Sequence, residues 1–329
     1  MKLMTPAEIA PVKERMDRVL SELDRMLLGR HELHKLVLCG VLARGHVLLE
    51  GLPGLGKTAL VKALSQLLAL DSKRVQFTPD LMPADILGAH ILETRADGTR
   101  EMSFRPGPVF CNLLLADEIN RASPKTQSAL LETMQERTVT LLGVTRPLPS
   151  PFFVLASQNP IELEGTYPLP EAQVDRFLFR LMVEAPTAET LTAIISGRSH
   201  GEPPPPDFSL SAEDLKEAFD AVSRVVLPDA VAEWIGRLVA ASHPSCAEAP
   251  ELVRKSVTYG ASPRAAIALA ESARAHALLE GRPSVGFDDV RAVAFPVFNH
   301  RLVLDYRAKL DGVTPRAAVD AILALPVAA

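Results

Sequence analysis

The chain has 329 residues, of which 47% are hydrophobic and 23% are charged. This balance is typical of a globular protein with a substantial core, and the length predicts about two domains. The formal net charge of -5 argues against a general nucleic-acid-binding surface, because such surfaces are basic. The three cysteines have neither metal nor redox spacing and fit a reducing cytoplasm. The amino terminus lacks a signal-peptide apolar region and no run is apolar enough to span a bilayer, so we expect a cytoplasmic protein without membrane insertion.

The first half of the chain alternates between helical and strand patterns. Helices are predicted at 7–28 and 31–43, and a further helix at 59–70. Most of the strand candidates are nearly continuous apolar runs, which is typical of strands covered on both faces. Alternation of this kind predicts a doubly wound parallel sheet. The strand candidates are 46–50, 74–78, 112–116, 152–156 and 177–181.

The character of the sequence changes after Pro186, where strand signals fade and helical patterns take over. The segment 201–206 ends in four consecutive prolines and is predicted to be a stiff extended loop. Helices are predicted at 211–224, 228–242, 262–280 and 286–298.

The segment between the first strand candidate and the next helix carries the most informative motif. Residues 51–58 match G-x-x-x-x-G-K-[ST], the loop that wraps a nucleoside triphosphate. Free backbone N–H groups and the helix dipole at such a position attract an anion. Lys57 is expected to reach the β- and γ-phosphates and Thr58 to ligate Mg²⁺. We predict ATP contacts from Gly51, Pro53, Gly54, Leu55, Gly56, Lys57, Thr58 and Ala59.

A second motif makes hydrolysis of the nucleotide plausible. The apolar run 112–116 ends in Asp117 and Glu118, and acids at the carboxyl end of a buried strand face the ligand crevice of such sheets. Asp117 suits Mg²⁺ binding, and Glu118 suits removal of a proton from an attacking water. Taken alone, two acids in a solvated loop would be commonplace; their position about sixty residues after the phosphate loop favours the functional interpretation.

Several segments together resemble the AAA+ ATPases of the MoxR type, which are related to the AAA+ subunits of magnesium chelatases. The resemblance extends from about residue 15 to about residue 325. The segments are Asp-Glu-Ile-Asn-Arg-Ala at 117–122 with Lys-Thr-Gln at 125–127, Ser-Gln-Asn-Pro at 157–160, the stretch 164–177, and Gly-Ala-Ser-Pro-Arg-Ala at 260–265. Gly281-Arg282, residues 288–290 and residues 300–302 match the carboxyl-terminal pattern of the family.

The resemblance implies roles for three further residues. Asn159 would orient the lytic water and sense the γ-phosphate, although an asparagine before a proline also suits a turn. Arg176 would act in the site of a neighbouring subunit, where a cation can stabilise charge on the equatorial oxygens; a salt bridge with Asp175 is the plainer alternative, and Arg121 is the rival for the same role. Arg264 would reach from the lid to the γ-phosphate. The catalytic set is then Lys57, Glu118, Asn159 and Arg176.

The fold that follows is α/β: a P-loop NTPase αβα core of the AAA+ type at 1–187, followed by a smaller all-helical lid domain at 188–329. The resemblance also implies a homo-oligomeric ring, most simply a hexamer, that uses ATP and Mg²⁺. It implies a chaperone-like role in assembling or activating client proteins with von Willebrand factor A-type domains. No nucleic-acid partner is expected.

Two segments invite further interpretation, and one departs from the family pattern. Residues 104–110 resemble an inserted hairpin region, and residues 138–149, with Gly143 at the centre, predict a β-hairpin. Either could contact clients or only pack between subunits. Relatives usually carry Val-Gly-Gln where this chain has Leu28-Gly29-Arg30, which puts the adenine contacts in question.

Three rival functions stay open on the sequence. A metal-chelatase motor subunit shares the same motifs. A nucleotide-gated scaffold that does not hydrolyse ATP is less compatible with the intact Glu118, Asn159 and Arg176. A DNA-remodelling motor is disfavoured by the negative charge.

Overall fold

The computed structural model describes residues 3–52, 54–94, 99–160, 165–197 and 203–327. Pro53 of the predicted phosphate loop, Glu164 of the family-like stretch and the first two residues of the segment 201–206 lie outside the described residues. The described prolines of that segment form neither helix nor strand, as the sequence predicts.

Within these ranges a five-stranded parallel sheet forms the centre of the molecule. Its spatial order is β2-β5-β8-β1-β9, so the chain crosses over between neighbouring strands. Three inner strands are buried along almost their whole length because their residues are apolar. The predicted parallel sheet is confirmed. The strands are β1 Val47–Glu50, β2 Ser72–Gln76, β5 Leu113–Asp117, β8 Phe153–Gln158 and β9 Phe179–Met182.

Two helices of the first half, at 57–67 and 124–136, pack against the sheet. Helix α5 begins where its sequence dictates, with the Ser123 hydroxyl accepting from the Thr126 N–H and Pro124 in the first turn. The apolar side of that helix, Leu130, Leu131 and Met134, is buried, as predicted. The helices are α1 Pro6–Met26, α2 His31–Leu42, α3 Lys57–Leu67, α4 Pro83–Leu87, α5 Pro124–Glu136, α6 Glu171–Val174 and α7 Ala188–Gly197.

Two antiparallel hairpins project from this part of the chain. One pairs β3 (Gly88–Thr94) with β4 (Arg100–Pro106) and contains the start of the segment 104–110. The other pairs β6 (Thr138–Leu141) with β7 (Val144–Pro147), and Gly143 has the positive φ of 78° that the turn needs. The predicted hairpin at 138–149 is confirmed, and its function stays a prediction.

The second half is helical, with one small addition. The four predicted helices are present within one or two residues of their predicted ends. The sequence predicted an all-helical region, but the structure also contains a two-stranded antiparallel ribbon of β10 (Val257–Tyr259) and β11 (Val303–Leu304). The helices are α8 Ala212–Arg224, α9 Asp229–Ala241, α10 Glu251–Ser256, α11 Pro263–Leu279, α12 Phe287–Phe298, α13 Tyr306–Leu310 and α14 Pro315–Leu323.

Packing continues across the predicted domain boundary at 187/188. One apolar cluster contains residues of α1, α2, the sheet and the later helices together. Phe219 of α8 contacts the ring of Phe153 in β8, with 6.1 Å between centroids, and the Leu210 N–H donates to the Leu67 carbonyl. The division at 187/188 therefore stays a prediction about the chain rather than a visible break in the core. No helix among the described residues is long and apolar enough to cross a membrane.

Candidate functional site

The two ends of the parallel sheet carry different chemistry. We define the carboxyl edge as the end of the sheet at which β1, β5 and β8 finish. The amino edge is the opposite end, at which β1, β8 and β9 begin. Val47 pairs with Phe179 and Glu50 with Met182, so the two edges are separated by the length of β1. Four extended residues span about 13 Å.

The phosphate loop lies at the carboxyl edge, between β1 and α3. Gly56 caps α3 with a φ of 80°, a left-handed conformation that suits glycine. A Cβ on Gly51 would lie 2.6 Å from the Val183 carbonyl oxygen, so only glycine fits there. The Lys57 side chain is largely buried and donates to the Gly51 carbonyl at 2.8 Å. Burial lowers the pKa of Lys57, and the nearby Asp117 and Glu118 oppose that shift.

Asp117, the last residue of β5, is fixed by two partners. The Ser157 hydroxyl donates to its Oδ1 at 2.5 Å, and Arg74 of the edge strand β2 donates to its Oδ2 at 2.8 Å. Thr58 lies exposed in the first turn of α3. A hydroxyl and a carboxylate are hard oxygen donors of the kind that Mg²⁺ prefers, so the donor set of Thr58 and Asp117 fits this ion.

Glu118 is aimed by its backbone and held by two side chains. Its φ of 56° is unusual for a residue with a side chain, and its N–H donates to the Ser157 hydroxyl at 2.9 Å. Gln76 donates to its carboxylate at 2.7 Å, and Arg121 does so at 3.2 Å. Arg121 therefore lies beside the Glu118 of its own chain. A carboxylate held in this way can accept a proton.

Asn159 follows β8 directly and is 6% exposed. Because β8 lies between β5 and β1, Asn159 stands between the Asp117-Glu118 pair and the phosphate loop. The structure thus brings Lys57, Thr58, Asp117, Glu118 and Asn159 to one edge. Gln76, Arg74 and Ser157 were not recognised as site residues from the sequence. Arg74 and Gln76 lie inside the strand candidate at 74–78, whose predicted bounds did not place Gln76 at the end of the strand.

The segment Leu28-Gly29-Arg30, which differs from the usual family pattern, contacts the phosphate loop. The Arg30 guanidinium donates to the Leu55 carbonyl, and to the Glu184 carbonyl at 3.2 Å. Burial lowers the pKa of Arg30. The arginine that replaces the usual glutamine therefore connects the phosphate loop with the chain that leaves β9.

Arg176 lies at the amino edge, before β9 begins. Its Nη1 donates to the Leu131 carbonyl of α5 at 2.9 Å, and its Nε is buried without a partner among the described residues. The alternative of a salt bridge with Asp175 does not describe the structure, because the Asp175 carboxylate is occupied by Arg301 and Arg264.

Arg264 lies at the same edge. It follows the Ser262 cap of α11, and its guanidinium approaches Asp175 at 3.5 Å and Gln135 at 3.4 Å. The structure therefore does not bring Arg264 to the phosphate loop of its own chain, although the sequence interpretation placed it with the ATP contacts. The reason is the packing of α11 against α1 and α2, which holds the start of α11 at the amino edge.

A cavity of about 260 Å³ opens between α5, β9 and α11 at this edge. Five arginines line it against two acids, Asp175 and Glu271. This excess of cations favours an anionic partner. The arginines are Arg44, Arg137, Arg176, Arg264 and Arg301.

Comparisons with known proteins agree with this geometry. Residues 46–179 match the model of the ATPase family associated with various cellular activities (AAA), and residues 250–322 match the AAA lid domain. Chaperone MoxR1 of Mycobacterium tuberculosis is 43% identical over 308 residues, covering 94% of this chain and 81% of that protein. The chain belongs to the MoxR-type AAA+ ATPases.

Two further similar proteins match over nearly their full length. Protein YeaC of Bacillus subtilis, whose function is uncharacterised, is 42% identical over 316 residues, covering 94% of this chain and 93% of YeaC. The solved structure of a candidate ATPase from Cytophaga hutchinsonii superposes with a TM-score of 0.86 at 37% identity, covering 96% of each chain. As a MoxR-type AAA+ protein the chain has a nucleotide-binding fold.

Proposed function

We propose that this MoxR-type protein hydrolyses ATP to ADP and phosphate at the carboxyl edge, in a homo-oligomeric ring in which each subunit completes its neighbour's site. The observation that carries the proposal is the split between the two edges. The phosphate loop, Asp117, Glu118 and Asn159 lie at the carboxyl edge, while Arg176 and Arg264 lie a strand length away at the amino edge. The arginines can then meet a nucleotide only when it is held by another subunit.

The roles within one site follow from the contacts. Lys57 binds the β- and γ-phosphates, replacing its present contact with the Gly51 carbonyl. Thr58 and Asp117 would hold Mg²⁺, which when bound neutralises phosphate charge. Glu118 accepts a proton from the attacking water as the bond between the γ-phosphorus and the bridging oxygen breaks. Asn159 orients that water from the end of β8.

The neighbour supplies the remaining charge. Arg176 of the adjacent subunit stabilises charge on the equatorial oxygens of the transferring phosphoryl group, and Arg264 from the same face adds a second cation. The cationic cavity at the amino edge supports this assignment, because five arginines line it against two acids. A hexamer is the ring we propose, by resemblance to the family.

The test is complementation between two inactive variants. We expect Arg176→Ala to lower turnover by roughly 10³–10⁵-fold, the effect of a finger supplied in trans, with ATP affinity nearly unchanged. We expect Glu118→Gln to be inactive as well. Mixing the two should restore phosphate release, because at one kind of mixed interface the first variant keeps Glu118 and the second lends Arg176.

Controls separate catalysis from assembly. Arg224→Ala removes an exposed arginine that pairs with Glu8 and should change turnover little. Mixed rings should be verified by co-purification of differently tagged subunits. If mixed rings form and no activity returns, Arg176 does not act in trans, and Arg121→Ala becomes the variant to mix.

We propose further that the ring assembles or activates client proteins, as the name of Chaperone MoxR1 suggests for that relative. Clients with von Willebrand factor A-type domains are those that the family resemblance implies. Glu118→Gln held in ATP is the bait, and the matched bait is Lys57→Ala, which should not bind ATP. The client proposal is supported if proteins with that domain are retained by Glu118→Gln and not by Lys57→Ala. Retention of the same proteins by both baits would refute it.

A further inference from the structure

The residue before Arg176 is the meeting point of the lid helices and the amino edge. Asp175 has a side chain that is 15% exposed. The Arg301 Nε donates to its Oδ1 at 2.8 Å, and the Ser262 hydroxyl donates to its Oδ2 at 2.8 Å. Both donors come from the second half of the chain. Asp175 is therefore held by the lid rather than by the sheet to which its own segment leads.

Arg301 holds more than the Asp175 carboxylate. Its side chain is 3% exposed, and its guanidinium donates to the backbone carbonyls of Asp175, Phe177 and Leu178, at 3.1, 2.6 and 3.2 Å respectively. One further bond returns to the Val297 carbonyl of α12. Burial lowers the pKa of Arg301 and the Asp175 carboxylate opposes that shift. Because the planar guanidinium donates all of these hydrogen bonds, it fixes the backbone on both sides of Arg176.

The two residues before Arg301 extend the same contact. His300 Nε2 lies 3.1 Å from the Phe177 carbonyl, and Asn299 donates to the Arg180 carbonyl at 2.9 Å. We call Asn299, His300 and Arg301 the lid clamp. Together they bind the backbone from Asp175 to Arg180, the segment that carries Arg176 into β9.

We propose that the lid clamp is a positioning device for Arg176, so that the lid of one subunit controls hydrolysis in the site of its neighbour. The inference rests on the proposed trans role of Arg176. Among the residues that the structure describes, the Arg176 side chain has one bond of its own, to the Leu131 carbonyl, so its direction depends on the backbone that the clamp holds. A displacement of about 1 Å in a catalytic group can cost roughly 10²-fold in rate.

The primary variant is Arg301→Gln, which removes the guanidinium and keeps a polar side chain. We expect uniform rings of this variant to lose roughly 10²-fold in turnover number, while ATP affinity in a fluorescent-nucleotide titration stays close to that of the parent. The control is Arg291→Gln, which removes an arginine of α12, the helix that precedes the lid clamp; Arg291 pairs with the exposed Asp288. We expect its turnover to be unchanged.

Complementation then tells a positioning role from a general structural one. Mixed with Glu118→Gln, the Arg301→Gln subunit keeps its own catalytic carboxylate and can receive an intact Arg176, so activity should return. Mixed with Arg176→Ala, no interface has a working arginine, so activity should stay low. Recovery with both partners, or with neither although mixed rings form, would overturn the proposal.

A milder variant covers failure of folding. If Arg301→Gln does not assemble, His300→Ala removes the contact with the Phe177 carbonyl and is tested in the same two mixtures, with the same pattern expected. The mixture of Arg176→Ala with Glu118→Gln is run alongside. If that mixture alone fails, the trans role of Arg176 is wrong; if it recovers and the clamp variants do not follow the expected pattern, only the clamp proposal is wrong.

Discussion

The carboxyl and amino edges of the sheet are built by different means. At the carboxyl edge the functional side chains lie at or just after the ends of strands in their own segments: Asp117 ends β5, Glu118 follows it, and Asn159 follows β8. At the amino edge Arg176 is placed by contacts with residues about 125 positions later in the chain, chiefly Arg301. A site built from strand ends can be complete in one subunit, whereas the amino edge depends on how the lid packs.

The largest effect expected within the carboxyl edge comes from Glu118→Gln. The amide cannot accept a proton as the carboxylate does, so turnover should fall roughly 10²–10⁴-fold while ATP binding persists. Phosphate release and nucleotide titration measure the two quantities. Glu233→Gln, on the exposed surface of α9, is the matched control. Near-normal hydrolysis by Glu118→Gln would mean that the base lies elsewhere and that the carboxyl edge is not self-contained.

This contrast also explains what the sequence could predict. The phosphate loop, the strand that ends at Asp117 and the cap at Ser123 are each encoded by neighbouring residues, so local pattern was sufficient. The strand candidate at 74–78 was displaced by two residues because β2 is an edge strand in which Lys73 and Arg74 face solvent. An apolar pattern does not mark the beginning of such a strand.

The amino edge was less accessible to prediction. Arg264 was recognised by its motif, but the motif does not tell which edge of the sheet α11 will approach. That is decided by the packing of α11 against α1 and α2. Of the clamp residues, His300 and Arg301 were noticed only as part of a terminal pattern and Asn299 was not noticed, because hydrogen bonds across more than a hundred residues leave no local periodicity.

The amino edge is also expected to be the more acid-sensitive of the two. His46 directly precedes β1 at this edge and is buried. Its Nδ1 accepts from the Val154 N–H, and its Nε2 donates to the Met134 carbonyl. Burial lowers the pKa of His46 to about 4 from its ordinary 6.5. The His46 side chain therefore becomes protonated below about pH 6.5 in the unfolded chain, but only below about pH 4 in the folded chain. Acidification from pH 6.5 to pH 4 thus lowers the free energy of unfolding.

The expected size of this effect is about 3 kcal/mol between pH 6.5 and pH 4, from about 1.4 kcal/mol per pKa unit. His46→Gln retains a donor and an acceptor and cannot titrate, so its stability should change less with pH than that of the parent. Urea unfolding at pH 7 and pH 4.5 gives both values. Parallel pH dependences in parent and variant would show that acid acts on the molecule through other groups.

The smallest expected effect returns to the carboxyl edge and concerns Arg74. This arginine is half exposed and pairs with the Asp117 oxygen Oδ2, one of the two oxygens available to Mg²⁺. Arg74→Gln removes a competing cation, so half-maximal ATP hydrolysis should need less Mg²⁺, by up to about fivefold, since an exposed ion pair is worth about 0.2–1 kcal/mol. Lys73 lies on the same strand but donates to the Phe110 carbonyl instead. Lys73→Gln therefore removes the same charge and should leave the Mg²⁺ requirement unchanged. An increased requirement in Arg74→Gln alone would mean that Arg74 orients Asp117 for the ion, and that the carboxyl edge, like the amino edge, depends on residues that its motif does not include.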